Sequence, residues 1–201
     1  MKIRHFAARL FATAFLLASF SLTAFAQATT SCEALAKLAL PQTKITSAQI
    51  VPAGEFAPPT TGGPGGAGLA AAAKNLPAFC RVAGVIEPAI KFEVWLPAAT
   101  GGKRWNGKYN GVGNGGLAGS ISYGAMIQAL MRGYATASTD TGHTNQPGNE
   151  AWPLGHPELI VDFASRGIHL TARAAKGVMR AAGADKPALL AQLLRVPGRA
   201  P

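Results

Sequence analysis

From residue 108 onward the chain repeats one order: a short β-type run (KYNGV), a glycine cluster, a helical stretch, a second β-type run and a long helical stretch. A strand that returns to its own sheet through a helix lies parallel to where it began. This order therefore commits the second half of the chain to parallel strands with helices packed on them. The first helix (ISYGAMIQALMR) has Ser120 or Ser122 as its cap and Gly133 as its stop. Residues 134–139 (YATAST) form the next strand, and a polar loop covers 140–157. A long helix is expected over 158–182, with Ile160, Phe163, Ile168, Ala172, Ala175, Val178 and Met179 facing inward and Gly183 ending it.

The residues before 108 read differently. Ser31 caps a short helix over 32–39 that stops before Pro41, and residues 44–51 form a strand. Residues 57–73 (APPTTGGPGGAGLAAAA) are low in complexity and read as a flexible surface loop, not a site. FCRVAGVI and IKFEVWLP are two β-type runs joined through Glu87-Pro88. The fold class is thus α/β, with a mixed sheet whose later strands are parallel. No strand is expected after the long helix, which leaves the sheet unfinished.

Residues 1–26 have the makeup of a secretory leader. Lys2, Arg4 and Arg9 form a basic start, residues 10–25 an apolar run, and Ala24-Phe25-Ala26 a cleavage site before Gln27. The run is short for a bilayer span, so cleavage after Ala26 is expected over retention as an anchor. The protein is then secreted or periplasmic, without membrane attachment. In such a compartment Cys32 and Cys80 default to one disulfide; two buried free thiols are the alternative. The formal charge is +10. Without the leader's three basic residues it is +7, from 16 basic and nine acidic residues. The basic residues are scattered and not interleaved with aromatics, so nucleic acid is not an expected partner.

The glycine cluster admits three readings. Gly111, Gly113 and Gly116 match G-x-G-x-x-G, with Asp140 at the end of the next strand, which would suit a dinucleotide. Against it, the helix cap comes only at Ser120 or later, and the unit follows hairpin strands. The second reading is an oxyanion loop, where glycines let backbone N–H groups approach an ester carbonyl. The third is a plain glycine-rich turn. His143, His156 and His169 do not have the spacing of a metal site. His156-Pro157-Glu158 imitates a zinc-deaminase H-x-E, but no cysteine follows Cys80. Neither metal nor cofactor is expected.

FCRVAG, FEVWLP, WNGK, GVGNGGLAGSISYG, GYATASTDTGH and LGHPELIVDFASRGIH, in this order over residues 30–187, resemble the tannase/feruloyl esterase family. That resemblance implies an exported α/β-hydrolase cleaving carboxylic esters of phenolic acids, with an aromatic ester as the partner. It implies that Gly115, Gly116 and Gly119 belong to the oxyanion-side loop. It also implies that Cys32 and Cys80 form the N-terminal disulfide, and that residues 140–143 (DTGH) form a structural loop near the site. The family's nucleophile turn is Cys-Ser-x-Gly-Gly, after the strand that follows the long helix. No such motif and no G-x-S-x-G occurs here: Ser120, Ser122, Ser138 and Ser165 all fail it. No nucleophile, catalytic acid or base is therefore assigned.

The expected organisation is a leader at 1–26, the N-terminal half of an α/β-hydrolase mixed sheet at 27–187 with no lid domain, and an aberrant tail at 188–201. The tail has no acidic residue and is built mostly from Ala, Leu, Arg, Pro and Gly. GC-rich coding sequence read out of frame has this composition, so a frameshift near 188 is expected, with a genuine short paralogue as the alternative, and with it an inactive fragment of an esterase. The alternatives are a non-catalytic binder of phenolic ligands or cell-wall material, and a dinucleotide binder through Gly111 and Gly116.

Overall fold

The computed structural model describes residues 30–59, 64–98, 105–144, 151–183 and 188–191. The expected leader and residues 192–201 of the tail lie outside the described residues. Six strands form one sheet: β1 (Thr43–Val51), β2 (Phe79–Ile86), β3 (Ile90–Pro97), β4 (Lys108–Gly111), β5 (Ala135–Thr139) and β6 (Ala188–Ala191). Their order is β1-β2-β3-β5-β4-β6. The first four neighbours pair antiparallel, and β4 pairs parallel with both β5 and β6. The sheet is mixed and its later strands are parallel, as the order of elements requires. Its helices are α1 (Pro64–Ala73), α2 (Tyr123–Met131), α3 (Pro157–Val161) and α4 (Gly167–Ala181).

The alternation of β2 and β3 divides their side chains between two cores. Val82, Phe92 and Val94 join Tyr109, Ala135, Ala137, Ala175, Val178 and Met179 beneath α4. Phe79 and Trp95 join Phe56, Leu76, Met126, Ile127 and Leu130 beneath α1 and α2. Gly84 is required where β2 meets β3: a Cβ there would stand 2.8 Å from the Phe92 ring and from the Lys44 carbonyl oxygen. β5 is central and buried along its whole length. Its polar residues are satisfied by neighbouring backbone. Thr136 Oγ1 donates to the Asn110 carbonyl (2.9 Å), Thr139 Oγ1 donates to the Lys91 carbonyl (2.8 Å), and Ser138 Oγ accepts the Ser122 N–H (3.0 Å).

Five expectations change. The first helix is a short 3₁₀ turn, Glu33–Lys37, although Ser31 does cap it by accepting the Ala34 N–H. Part of the supposed loop 57–73 is helix α1, because its alanines outweigh its glycines as helix formers and Leu69 and Ala73 pack on the second core. The long helix is interrupted by a π-type turn, Asp162–Arg166, between α3 and α4. That turn rotates α3 relative to α4, so Ile160 is exposed while Ala175, Val178 and Met179 are buried. Finally, the sheet continues past the long helix: residues 188–191 lie parallel to β4, with Ala191 opposite Gly111.

Candidate active site

Strands β4, β5 and β6 run in one direction, so their C-terminal ends open on a single edge of the sheet. Open α/β sheets place ligands at such an edge. The glycine loop leaves β4 there, and the segment Asp140-Thr141-Gly142-His143 leaves β5.

The two segments hold each other. Asn114 is buried, and its Nδ2 donates to the carbonyls of Ala118 (3.0 Å) and Thr139 (2.9 Å). His143 Nε2 lies 3.0 Å from the Leu117 carbonyl oxygen, and its Nδ1 lies 3.3 Å from Thr141 Oγ1. Gly119 is buried beneath this imidazole, and a Cβ on it would come within 2.6 Å of His143 Nε2. Gly115 and Gly116 stand on the other side, exposed, with nothing within 4 Å of where a Cβ would be. Gly116 has φ +61°, which favours glycine, and the Ala118 N–H donates to the Gly115 carbonyl at 3.2 Å to close the turn. The three oxyanion-loop candidates therefore differ. Gly115 and Gly116 form an open turn at the edge, whereas Gly119 is where the loop packs on His143.

The second segment is fixed as firmly. Asp140 Oδ1 accepts the N–H groups of Lys91 and Gly142, each at 2.9 Å. Burial raises the Asp140 carboxyl above its ordinary value, opposed by those two N–H groups. Thr141 takes φ +57°, a conformation β-branched residues rarely adopt. It is held by its N–H to Thr139 Oγ1 (3.1 Å) and its Oγ1 to the Asp140 carbonyl (2.6 Å). Behind the loop, His143 stacks on Trp152 at 4.0 Å, and Phe163 meets both rings edge-on. The π-type turn presents Asp162 to Arg166 (2.7 Å), and Arg166 also donates to the Glu87 carbonyl (2.6 Å).

A second polar group lies under α2. The buried Glu93 carboxylate accepts from Arg81 through both Nε and Nη2, from Trp95 Nε1 (2.8 Å) and from Tyr123 OH (2.9 Å). Burial, with Glu93 beside it, pushes the Tyr123 hydroxyl pKa up. This network ties the first turn of α2, just beyond the glycine loop, to the sheet.

The sequence pointed to the glycines and to residues 140–143 but missed Asn114, Asp162, Trp152 and the Arg81–Glu93–Tyr123 group. The hairpin register held the clue to the last: Arg81 lies opposite Trp95, on the same sheet face as Glu93. His156 is exposed and pairs with Glu158 at 3.0 Å, and His169 is exposed on α4. Helix α2 starts only at Tyr123, so the G-x-G-x-x-G glycines do not open a helix as a dinucleotide motif would. Of the serines, Ser138 Oγ is engaged by Ser122 and Ser165 Oγ donates to the Val161 carbonyl at 3.5 Å. Cys32 and Cys80 form a disulfide, with Cα atoms 5.6 Å apart.

The profile of the family described as tannase and feruloyl esterase matches residues 74–188, from the end of α1 to the start of β6. The chain belongs to this family. It is 42% identical over 160 residues to an uncharacterized esterase of Xanthomonas campestris pv. campestris, covering 78% of this chain and 26% of that protein. It is 34% identical over 129 residues to a probable feruloyl esterase B-1 of Aspergillus fumigatus, covering 62% and 23%. The crystal structure of feruloyl esterase B from Aspergillus oryzae superposes with a TM-score of 0.63 at 26% identity, covering 80% of this chain and 30% of that one. The chain thus spans about a quarter of the length of the curated relatives it matches. In this tannase and feruloyl esterase sheet, β6 is the strand after the long helix.

Proposed function

We propose that these residues form the oxyanion side of a serine carboxylesterase that hydrolyses esters of phenolic acids. The observation that carries the reading is the exposed Gly115–Gly116 turn, held from behind by Asn114 and His143 at the C-terminal edge of the parallel strands. An oxyanion hole needs N–H donors fixed before the reaction begins, because donors that must reorganise stabilise the transition state less. Clamped from Thr139 and Leu117, the turn meets that need without any side chain of its own in the way.

In the complete reaction a serine hydroxyl attacks the ester carbonyl while a histidine removes its proton, and an aspartate orients that histidine. The negative charge that develops on the carbonyl oxygen is met by N–H groups of Gly115 or Gly116 and by a second N–H beside the nucleophile. Neither the nucleophile nor its base is among the residues of this sequence that match the family's motifs. We accordingly expect no turnover from these 201 residues by themselves. A feruloyl-type substrate is supported by the relatives whose names specify feruloyl esters. Export with cleavage after Ala26 is supported by the Cys32–Cys80 disulfide, which forms in oxidising compartments.

A chimaera tests the oxyanion role. The stretch of the Xanthomonas esterase that matches this chain is replaced by the corresponding residues of this chain, and hydrolysis of p-nitrophenyl acetate and methyl ferulate is compared with the parent. We expect activity in the chimaera. Gly115→Pro, which deletes one N–H, should lower kcat by roughly 100-fold with little change in KM, whereas Gly115→Ala should stay near the parent. A folded but inactive chimaera, or a Gly115→Pro variant with full kcat, would overturn the reading.

A further inference from the structure

One group of charges plays no part in the oxyanion reading. Helix α4 carries Arg173, Lys176 and Arg180 and no acidic residue. Their spacing of three and four residues puts all three on one stripe of the helix. The stripe lies opposite Val178 and Met179, which enter the first core. The paired carboxylates lie elsewhere: Glu93 with Arg81, Asp162 with Arg166, and Glu158 with His156. None of the three α4 cations has an ion pair among the described residues. Protein surfaces ordinarily mix the two signs, so three cations together without an acid form a local excess of positive charge.

These cations line a groove of about 370 Å³. Its opposite wall is the turn that leads into β1, residues 40–43. That turn is fixed by its own backbone. The Thr43 N–H donates to the Leu40 carbonyl (3.2 Å), Thr43 Oγ1 donates to the Pro41 carbonyl (2.9 Å), and the Gln42 carbonyl accepts the Glu87 N–H (2.8 Å). Gly177 sets the width of the groove. A Cβ there would stand 2.6 Å from Leu40 Cδ2, so the turn can approach α4 this closely only because residue 177 is glycine. Leu40, Leu170 and Ala174 add apolar surface, and Gln42 and Thr43 add neutral polar groups.

We propose that this groove binds a linear acidic polysaccharide, a chain of sugars that carry carboxylates. The inference goes beyond the oxyanion reading and does not depend on it. A groove between two fixed walls admits a narrow chain and excludes a flat membrane surface. Guanidinium forks bind carboxylates through paired hydrogen bonds, and the Lys176 ammonium adds a further donor. Gln42 and Thr43 suit sugar hydroxyls, and the apolar side chains suit the C–H face of a sugar ring. A single-stranded nucleic acid would satisfy the charges equally well, but its bases need aromatic platforms. No aromatic side chain among the described residues lines the groove. The turn also lies at the same end of the sheet as the glycine loop. Thr43 pairs with Ile86 at the end of β2, and Phe92, near the start of β3, pairs with Thr139 at the end of β5.

The test is calorimetric titration of the 201-residue protein with oligogalacturonate, with the fully methyl-esterified oligomer as the uncharged probe. We expect the acid form to bind, more weakly as salt is added, and the methyl ester not to bind. Arg173→Gln combined with Lys176→Gln should weaken binding about tenfold. Lys74→Gln combined with Lys108→Gln removes the same charge from exposed sites outside the groove and should stay within about twofold of the parent. Melting temperatures equal to the parent's show that the variants fold. No binding of the acid form, or binding of the methyl ester as tight as that of the acid, would overturn the proposal. Equal weakening by the two pairs would do so as well, since the attraction would then be to net charge alone. So would groove-dependent binding of oligothymidylate tighter than that of oligogalacturonate, because the occupant would then be a nucleic acid. An inactive chimaera leaves all of these outcomes untouched, so the groove and the oxyanion reading fail separately.

Discussion

The two ends of this sheet are finished to different degrees. At the end where β2 and β5 begin, the Cys32–Cys80 disulfide fastens the 3₁₀ turn over the first core, and Leu35 is fully buried beneath it. At the other end, where β4, β5 and β6 finish, the loops are held just as tightly from behind, by Asn114, His143 and Asp140. Their outer surface, however, keeps exposed leucine, isoleucine and valine and one buried acceptor without a donor. Rigidity and completeness are therefore separate properties here. The edge proposed to carry the oxyanion donors is organised although its outer surface is exposed, as expected of a surface whose amides must be fixed in place before a substrate arrives.

The comparison can be broken first at the finished end. Replacing Cys32 and Cys80 by serine frees a loop with a sequence separation of 48 and should cost about 4 kcal/mol in urea unfolding. A loss below about 1 kcal/mol would mean that the disulfide does not hold this end closed. Between the ends, Glu93→Leu strands Arg81 and removes the acceptor from Trp95 and Tyr123. We expect a loss of about 3 kcal/mol, tempered by the partial exposure of Arg81.

At the C-terminal ends of the parallel strands, the glycines should separate into two classes. Gly119→Ala forces a methyl group into the His143 ring and should cost about 2 kcal/mol, while Gly115→Ala meets nothing and should stay within about 0.5 kcal/mol of the parent. Equal losses at the two positions would erase the distinction between the anchored and the open side of the loop.

Asp140 supplies a pH test of the same edge. Burial raises its carboxyl, so the folded chain holds that proton more readily than the unfolded chain does. Its contribution to stability is therefore fully present below the unfolded value, about 4, and is lost as pH rises through the folded value. Asp140→Asn keeps an acceptor oxygen for the Lys91 and Gly142 N–H groups without the charge. The variant should be more stable than the parent near neutral pH, and the advantage should vanish in acid. Urea melts across pH would show this, and a gap that widens in acid would contradict it. The smallest effect belongs to the outer patch: Leu154→Asp should change the stability of the chain itself by no more than about 0.5 kcal/mol.

What could be read in the sequence follows from how local each signal is. The hairpin of β2 and β3, the order strand–loop–helix–strand and the glycine loop all rest on neighbours in the chain, and these were legible. Helix α1 was hidden because glycine and proline in residues 57–69 mask the alanine run that follows. The π-type turn at Asp162–Arg166 was hidden because it keeps helical periodicity while shifting the buried face by one residue, which misplaced Ile160. Strand β6 has no flanking motif and is defined by its pairing with β4, eighty residues away in sequence from Lys108 to Ala188. At the site, the glycines announced themselves by composition. Asn114 and His143 act through partners 25 and 26 residues distant, which no local pattern encodes.

The most direct measurement is ester hydrolysis by the purified 201-residue chain, followed with methyl ferulate and with a fluorophosphonate that labels activated serines. The proposed reading expects a rate no greater than buffer and no label, because neither G-x-S-x-G nor Cys-Ser-x-Gly-Gly occurs in these 201 residues. Sustained turnover that the fluorophosphonate abolishes, with its label on a serine of this chain, would contradict it.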